Sequence, residues 1–316
     1  MESLGIKMRE VVITGASGFL GFALTKRLAE LGIIVNAVIR SNSINVNKFE
    51  GLGNVKLIEC NLDEMKRLTS LIPGCEVDAF YHFAWQGVSD KEAREEGIQL
   101  DNVKYACEAV KIAKELKAKK FIFASSIMEY EVVKLMETEL AADKRNVYRV
   151  AKLTAHYLTR IIANDVGIEY NAANISNVFG IGEMSGRFIN STIRRMLKGE
   201  RVQFTEAKQL YDFIYIDDAV EMLRLVGEKG QSNKSYYIGS MEPRVLRDYI
   251  YELKDCVDST LELGIGENSD YIGVSLYYNE FEIDACKNDF QFKPKYTFKE
   301  GICKTVEWLK KMEITS

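Results

Sequence analysis

Short apolar runs alternate with longer amphipathic stretches over the first 180 residues of the chain. The runs are rich in β-branched residues and carry few charges, which predicts buried strands, and the stretches between them repeat apolar residues at helical spacing, which predicts helices. Strands are predicted at 11–13, 34–39, 55–59, 78–84, 120–124 and 170–178. The first helix is predicted from residue 20 to Leu31, and Gly32 is placed to end it. Further helices are predicted over 65–71, 92–116 and 147–163.

This alternation indicates a parallel sheet that helices cover on both faces. Right-handed crossovers between successive strands then give a doubly wound α/β fold. After Gly180 the pattern loosens. There we predict helices over 187–197, 245–253 and 302–311, and from a cap at Asp217 and Asp218 through Leu225. Extended segments are predicted at 202–204, 213–216 and 236–239.

Composition and charge argue against several classes of protein. The net charge of −4 and the absence of a long basic run disfavour nucleic-acid binding. No segment approaches the ~20 consecutive apolar residues of a membrane span, and residues 1–10 lack the apolar stretch of a signal peptide. Only two histidines are present, which disfavours a histidine-based metal site. None of the six cysteines forms a C-x-x-C pair, so we expect reduced thiols in a cytoplasmic protein.

A glycine-rich turn separates the first predicted strand from the first predicted helix. Its sequence from Thr14 to Gly21 is T-G-x-x-G-x-x-G, with glycines at Gly15, Gly18 and Gly21. Glycine lets the backbone turn sharply and approach a pyrophosphate, and the helix N-terminus offers N–H groups to that anion. The turn therefore predicts a dinucleotide site; a tight turn without a ligand is the alternative.

A second signal is the pair Tyr148 and Lys152, which lie four residues apart and share one face of the predicted helix. The phenol has an ordinary pKa near ~10 and is a poor base at neutral pH. We expect the lysine ammonium to lower the pKa of Tyr148. The pair then moves a proton to or from a hydroxyl or carbonyl while a hydride passes to or from a nicotinamide. An ordinary surface pair on a helix is the alternative for this motif alone.

Together these motifs resemble the extended branch of the short-chain dehydrogenase/reductase superfamily, which comprises nucleotide-sugar epimerases, dehydratases and ketoreductases. The similarity continues in Ser125-Ser126-Ile127-Met128-Glu129-Tyr130, in Asn177-Val178-Phe179-Gly180 and in the segment 211–218. It implies a Rossmann-type domain over 1–178, to which segments near 212–245 return, and a smaller C-terminal α/β substrate domain over 179–316. It also implies a homodimer, in which the helices near 92–116 and 147–163 form a four-helix bundle.

The resemblance also implies roles for particular residues. The catalytic residues are Tyr148, Lys152 and Ser126, whose hydroxyl is expected to hydrogen-bond the reacting oxygen. The cofactor-binding residues are Gly15, Ser17, Gly18, Phe19, Leu20, Gly21, Arg40, Ser41, Asn61, Leu62, Ala84, Trp85, Asn102 and Lys152. The substrate-binding residues are Asn177, Phe204 and Tyr211, although Phe204 is equally well explained as a core residue. No metal is expected.

The chain departs from the family pattern in two places. The sugar 4,6-dehydratases carry an acidic pair after the catalytic hydroxyl residue, where this chain has Ile127 and Met128, which argues against dehydration. Two arginines of the family, of which one commonly holds the substrate diphosphate, are replaced here by Tyr211 and Asn174. The basic residues nearby in sequence that could substitute are Arg187, Arg194, Arg195, Arg201 and Lys208; each is also consistent with a solvated surface.

We therefore expect an NAD(P)-dependent oxidoreductase or epimerase that acts on a nucleotide-activated sugar. The favoured reaction is reduction of a 4-keto-6-deoxy nucleotide sugar, and 4-epimerisation of a nucleotide sugar is the first alternative. Reduction of a non-nucleotide carbonyl compound is a further alternative. A cofactor-sensing regulator on the same fold is disfavoured, because such regulators usually lose the catalytic tyrosine.

The end of the second strand bears on the choice of cofactor. NAD-binding relatives have an acidic residue there that accepts hydrogen bonds from the adenosine ribose, and this place falls on Ile39. The next residues are Arg40 and Ser41, which could both bind a 2′-phosphate, and no carboxylate follows in sequence until Glu50. NADP is therefore favoured over NAD, with a site that accepts either cofactor as the alternative.

Overall fold

The computed structural model describes residues 8–74, 76–89, 91–138, 143–268, 276, 278 and 282–314. The strands are β1 (Glu10–Thr14), β2 (Ile34–Ile39), β3 (Val55–Glu59), β4 (Ala79–His82), β5 (Lys120–Ser126), β6 (Glu169–Ile175), β7 (Asn177–Phe179), β8 (Gln203–Phe204), β9 (Leu210–Tyr211), β10 (Phe213–Tyr215), β11 (Lys234–Ile238), β12 (Arg244–Val245) and β13 (Gly264–Ile265). The α-helices are α1 (Phe19–Glu30), α2 (Leu68–Leu71), α3 (Glu96–Glu115), α4 (Met128–Thr138), α5 (Val147–Val166), α6 (Phe188–Leu197), α7 (Ile216–Lys229), α8 (Leu246–Val257), α9 (Ala285–Phe290) and α10 (Phe298–Ile314).

A seven-stranded sheet with the order β11-β6-β5-β4-β1-β2-β3 forms the centre of the molecule. All of its neighbouring strands are parallel. Parallel neighbours require crossovers, which the helices supply. The strand order reverses between β1 and β4, which is where the carboxyl ends of a doubly wound sheet leave a ligand-binding crevice. The predicted α/β fold is therefore confirmed.

The sheet buries apolar side chains on both faces. On one face Val11 and Ile13 join a core that includes Leu24 of α1 and Val226 of α7. On the other face Val12 joins a second core, which contains apolar residues of α3 and α5. Successive strand residues point to opposite faces, so a continuous apolar run such as 11–13 is what a sheet covered on both sides needs.

Two predicted stretches are divided differently in the structure. The run 170–178, predicted as one strand, is split at Ser176, whose N–H donates to the Ile238 carbonyl at 3.0 Å. After this break β7 pairs with β10 in a separate two-stranded sheet, so the chain leaves the central sheet. The stretch 65–71 is divided between a 3-10 helix, which spans Leu62–Arg67, and the short α2 that follows it.

The predicted cap at Asp217 and Asp218 is wrong. The helix α7 begins one residue earlier, with Tyr215 at its N-cap and no side-chain cap. Asp218 instead accepts hydrogen bonds from the backbone N–H groups of Lys295 (2.8 Å) and Tyr296 (3.0 Å), and thereby holds the segment that leads into α10. The helix α4 was not predicted at all.

The region after Gly180 consists of helices, short two-stranded sheets and β11, which joins the central sheet beside β6. An aromatic cluster holds much of this region together, and Phe213 lies at its centre, 4.9 Å from the ring centroid of Tyr249 and 5.7 Å from that of Phe298. Among the described helices, none combines the length and apolar character needed to cross a bilayer. The described residues also contain no group of three or more metal-ligating side chains.

Candidate active site

The glycine turn joins β1 to α1 in a conformation that only glycine fits. Gly15 has φ +69°, and a Cβ there would lie 2.7 Å from the Ala84 nitrogen. A Cβ on Gly21 would lie 2.3 Å from the Gly15 carbonyl oxygen. The turn is therefore as tight as the backbone permits, and α1 begins at Phe19 without a side-chain cap. Because its first N–H groups have no intrahelical acceptor, the start of α1 suits an anion such as a pyrophosphate.

The segment after β4 runs beside this turn and is held by α3. Asn102 is buried and forms two hydrogen bonds with the backbone of Gln86, at 2.8 and 2.9 Å. Gln99 accepts a hydrogen bond from the Trp85 indole N–H at 2.9 Å. The Ala84 N–H donates to the Thr14 hydroxyl at 3.3 Å. These contacts fix the Trp85 ring at the carboxyl end of the sheet.

The helix α5 brings Tyr148 and Lys152 to the same place. The Lys152 ammonium donates to the Ala124 carbonyl at 2.9 Å and lies 3.7 Å from the ring centroid of Trp85. Phe123 is the next nearest ring, at 5.1 Å. The Tyr148 ring meets Trp85 edge to face, with centroids 6.1 Å apart. A buried ammonium is stabilised here by one carbonyl and by aromatic faces.

Burial acts on both members of this pair. It lowers the pKa of Lys152 to about 7, against the opposing effect of the Glu129 carboxylate. Burial also raises the pKa of Tyr148 to about 12. The expected lowering of the phenol pKa by the ammonium is therefore not found, because loss of solvent outweighs the charge of the neighbouring groups. The phenol is protonated at neutral pH, as a proton donor must be.

The serine segment closes the site from β5. The Ser126 hydroxyl lines the cavity described below and accepts a hydrogen bond from the Met128 N–H at 3.2 Å, at the start of α4. Ser125 lines the same cavity, but it is buried and its hydroxyl forms a short hydrogen bond with the Glu129 carboxylate. The same carboxylate lies 2.7 Å from His156 Nδ1. Of the two serines, Ser126 is the more exposed, and its hydroxyl is not bound to this carboxylate.

These residues line one cavity of about 860 Å³ that extends from the glycine turn to the region after Gly180. Its walls include Gly15, Gly18, Phe19, Leu20, Gly21, Trp85, Ser126, Tyr148, Lys152, Asn177 and Tyr211. The sequence therefore predicted residues from six separate chain segments that the fold brings to one cavity. Ile127 and Met128 also line the cavity. These are the positions where the resemblance leads us to expect an acidic pair in a sugar 4,6-dehydratase.

Some predicted residues lie elsewhere. Phe204 is 6% exposed, belongs to the core and packs against Phe188 with ring centroids 5.9 Å apart; it is not among the cavity walls. Leu62 is buried in the core. Ser17 is half-buried, and its carbonyl accepts a hydrogen bond from Asn45 at 3.3 Å. Asn174 is buried and donates to the Tyr130 hydroxyl at 2.9 Å.

The predicted adenosine end lies at the ends of β2 and β3. Ser41 donates through its N–H to the Asn61 side-chain oxygen at 3.2 Å. Asn61 also donates to the Glu64 carboxylate at 3.3 Å. A carboxylate is therefore close in space, although none is close in sequence on β2. Arg40 is exposed, and no carboxylate pairs with it within the described part of the chain.

Among the five basic residues proposed to replace the missing arginines, Arg187 lines the cavity. The other four are engaged elsewhere on the surface. Arg194 donates to the carbonyls of Met184 and Ser185, and the remaining three pair with carboxylates, Arg195 with Glu200, Arg201 with Glu267 and Lys208 with Glu206. Arg187 forms no ion pair with any described carboxylate and is exposed to the cavity.

The sequence analysis missed five charged residues of the cavity: Arg94, Glu131, Arg145, Arg149 and Glu183. Arg149 pairs with Glu131 at 3.1 Å, and both side chains are 11% exposed. Arg145 lines the same wall. The position of Arg149 directly after Tyr148 was a usable signal, but its partner lies on α4, which the sequence did not predict.

The family comparison decides the identity of the fold and its class of chemistry. A model of the NAD dependent epimerase/dehydratase family matches residues 11–239, which include the glycine turn and the Tyr148–Lys152 pair. The chain belongs to this family. It is therefore an NAD(P)-dependent enzyme of the epimerase/dehydratase type, and the resemblance to extended short-chain dehydrogenases is confirmed.

Individual relatives are distant but similar over their whole length. The dTDP-glucose 4,6-dehydratase of Xanthomonas campestris is 23% identical, over 94% of this chain and 92% of the relative. An epimerase of Methanothermobacter thermautotrophicus superposes with a TM-score of 0.81 at 18% identity, over 98% of this chain and 94% of that one. The UDP-N-acetylglucosamine 4-epimerase of Methanobrevibacter ruminantium, solved with UDP-N-acetylmuramic acid, gives a TM-score of 0.79 at 20% identity, over 97% and 99% of the two chains.

Proposed function

We propose that this family member reduces a 4-keto group of a nucleotide-activated sugar, with NADPH as the preferred reductant. The observation that carries the proposal is the cavity in which Tyr148, Lys152 and Ser126 meet apolar side chains at Ile127 and Met128. The proton-transfer groups for a carbonyl and hydroxyl pair are present. Carboxylic acids at 127 and 128, which would assist loss of water, are not.

The residues around the glycine turn fit a dinucleotide. Gly15 and Gly21 let the backbone of the turn pack tightly, and Gly18, Phe19 and Leu20 at the start of α1 line the cavity, where helix N–H groups suit a pyrophosphate. Lys152 and Trp85 would lie beside the nicotinamide end, and Arg40 and Ser41 would lie beside the adenosine. When bound, the nicotinamide ring supplies the hydride that the reaction needs.

The protein's own part in the reaction is to hold and move a proton. Ser126 would donate a hydrogen bond to the reacting carbonyl oxygen. Tyr148, whose pKa burial raises to about 12, would give its phenolic proton to that oxygen as negative charge develops on it. The adjacent Lys152 would stabilise the resulting phenolate. A protonated phenol in the free enzyme suits reduction better than oxidation, since oxidation must begin with a base.

Arg187 is proposed to hold the diphosphate of the substrate. It is the cavity-lining member of the basic group named above, and its guanidinium can bind phosphate oxygens in a bidentate manner. Asn177 and Tyr211 line the same cavity and would contact the same substrate.

The second candidate is a nucleotide-sugar 4-epimerase that retains NAD. It is favoured by the contact between Asn61 and Glu64, which places a carboxylate near the predicted adenosine site, where it would repel a 2′-phosphate. Epimerases return the hydride to the sugar and consume no net reductant.

A substrate panel separates these candidates. The enzyme is incubated with a dTDP-4-keto-6-deoxy sugar and NADPH or NADH, and separately with UDP-, CDP- and dTDP-hexoses without reductant. Reduction predicts stoichiometric loss of absorbance of the reduced cofactor and a new 4-hydroxy sugar by NMR. Interconversion of hexoses without added reductant would support the epimerase. Turnover of carbonyl compounds without a nucleotide, or cofactor binding without any turnover, would overturn both.

A further inference from the structure

A buried acid and a buried histidine lie behind the proposed catalytic residues. Glu129 is 4% exposed and His156 is 8% exposed, and the Glu129 carboxylate lies 2.7 Å from His156 Nδ1. Ser125 also hydrogen-bonds this carboxylate. Neither the acid nor the histidine lines the cavity. Ionised groups are rarely buried to this extent unless they are paired, so the pair calls for a role.

The pair is connected to both halves of the proposed site. Tyr148, Lys152 and His156 follow one another at intervals of four residues and therefore share one face of α5. The Lys152 ammonium binds the carbonyl of Ala124, and the next residue, Ser125, binds Glu129. The Glu129 carboxylate also lies 3.4 Å from the Ser126 N–H. One carboxylate thus contacts the serine segment and the helix that carries Tyr148 and Lys152.

The charged groups around Lys152 affect the pKa of its ammonium. Burial removes the ammonium from water, and Arg187 adds a second positive charge, while Glu129 is the carboxylate that opposes both. His82 of β4 is also buried, and burial together with the Lys152 charge lowers its pKa to about 3, so it adds no charge at neutral pH. Tyr130 lies next to Glu129, and burial raises its pKa to about 12, so it too is neutral. Glu131 is paired with Arg149.

The hydrogen bonds of His156 keep the carboxylate in place. His156 Nε2 lies 3.3 Å from the Ser235 hydroxyl of β11. An imidazole with its hydrogen on Nδ1 would donate to Glu129 and accept from Ser235, which gives both ring nitrogens partners.

We propose that Glu129 and His156 are positioning residues: the Glu129 carboxylate balances the buried Lys152 ammonium, and His156 holds that carboxylate in place. The inference deepens the proposed function, on which it rests. It assigns a supporting role to Glu129 of α4, His156 of α5 and Ser235 of β11, which lie behind the residues proposed to touch the ligand. Loss of the carboxylate should leave the cavity walls intact while changing the pH range in which Lys152 is charged.

The first test compares the pH dependence of turnover in the wild type, Glu129→Gln and Glu129→Asp. Removing the negative charge lowers the pKa of Lys152, so activity that needs the ammonium is lost at a lower pH. A decrease of one pKa unit reduces turnover about tenfold near pH 8 and leaves it almost unchanged near pH 5. Glu129→Asp keeps the charge and should keep the wild-type profile. Asp165→Asn removes an exposed acid near the end of α5 and is the matched control.

A superimposable profile for wild type and Glu129→Gln would overturn the charge-balancing role, even if Glu129→Gln were less stable. His156→Gln retains a donor for the carboxylate and should behave as wild type, whereas His156→Leu should follow Glu129→Gln, since a buried carboxylate without its donor favours its neutral form. Equal profiles for the two histidine variants would likewise contradict the role of His156.

The second test needs neither a variant nor turnover. The chain contains two histidines, so nitrogen NMR of a histidine-labelled wild type reports only His82 and His156. The proposal predicts a neutral His156 with its hydrogen on Nδ1 at neutral pH, in the presence and absence of cofactor. A hydrogen on Nε2 alone would overturn it. If the substrate panel fails while this tautomer is found, the proposed reaction is wrong and the positioning arrangement stands.

Discussion

The Lys152 ammonium lies 3.7 Å from the centre of the Trp85 ring. This contact joins α5 to the segment after β4, at the carboxyl edge of the sheet where both reach the cavity. The ammonium has one hydrogen-bond acceptor in this place, the Ala124 carbonyl, and is otherwise surrounded by aromatic rings and the phenol of Tyr148. In the proposed mechanism, this position would let one cation contact both a bound dinucleotide and the tyrosine.

Because the glycine turn is tightly packed, we predict that Gly21→Ala lowers both the stability of the protein and its affinity for a dinucleotide. The new Cβ would lie 2.3 Å from the Gly15 carbonyl oxygen, so the turn must move. We expect a loss of about 1–3 kcal/mol in the free energy of unfolding, as for other overpacked sites, and a loss of dinucleotide affinity. Gly53→Ala is the matched control, because nothing lies within 4 Å of its Cβ. Thermal unfolding and cofactor titration measure both effects; a Gly21→Ala protein that binds cofactor as the wild type does would contradict the assignment of the turn.

Arg187→Ala tests the proposed diphosphate contact. Removal of a charged hydrogen-bond donor costs about 1.5–3 kcal/mol, so the dissociation constant for a nucleoside diphosphate should rise about 10- to 100-fold. Cofactor binding should change little. Arg195→Ala is the control, since Arg195 is exposed and paired with Glu200. Calorimetric titration with UDP and dTDP provides the measurement, and equal affinities in wild type and Arg187→Ala would exclude Arg187 from the contact.

Arg40→Ala tests the choice of cofactor. An exposed guanidinium without a carboxylate partner among the described residues favours a 2′-phosphate, whereas the nearby Glu64 disfavours it. We predict that the wild type binds NADP more tightly than NAD and that Arg40→Ala loses this preference. Fluorescence titration of both cofactors decides the matter. Equal affinities for NAD and NADP in the wild type would transfer support to the 4-epimerase.

An exposed apolar stripe on α5 predicts how the protein assembles. Val150, Tyr157 and Ile161 are 47%, 57% and 61% exposed and lie on one side of the helix, and Leu100 of α3 is 67% exposed. We propose that these helices pair with those of a second copy in a homodimer. Sedimentation should give a dimer at micromolar concentration, and Ile161→Glu should give a folded monomer. Tyr251→Glu alters an exposed aromatic residue of α8 and should stay dimeric; a monomeric wild type would contradict the proposal.

The sequence was sufficient to predict those parts of the candidate site whose geometry depends on residues close together in the chain. Gly15 to Gly21 and Tyr148 to Lys152 each lie within one turn or helix, so their geometry could be inferred from residue order alone. The Glu131–Arg149 pair could not be inferred, because it needs α4, whose start is set by Ser126 and by contacts with α5. The break at Ser176 was also hidden, since it depends on the backbone of β11, more than 50 residues further along the chain.

The most direct measurement follows the hydride and the proton at C4 of the sugar. A dTDP-4-keto-6-deoxy sugar is incubated with NADPH carrying deuterium at the nicotinamide C4, using wild type and Tyr148→Phe, and the product is examined by NMR. Wild type is predicted to place one deuterium on C4 of the sugar. Tyr148→Phe should lower kcat by about 10²–10⁴-fold while binding the cofactor as before, because it removes the proton donor alone. Wild-type product without deuterium at C4, or unchanged kcat in Tyr148→Phe, would contradict the account.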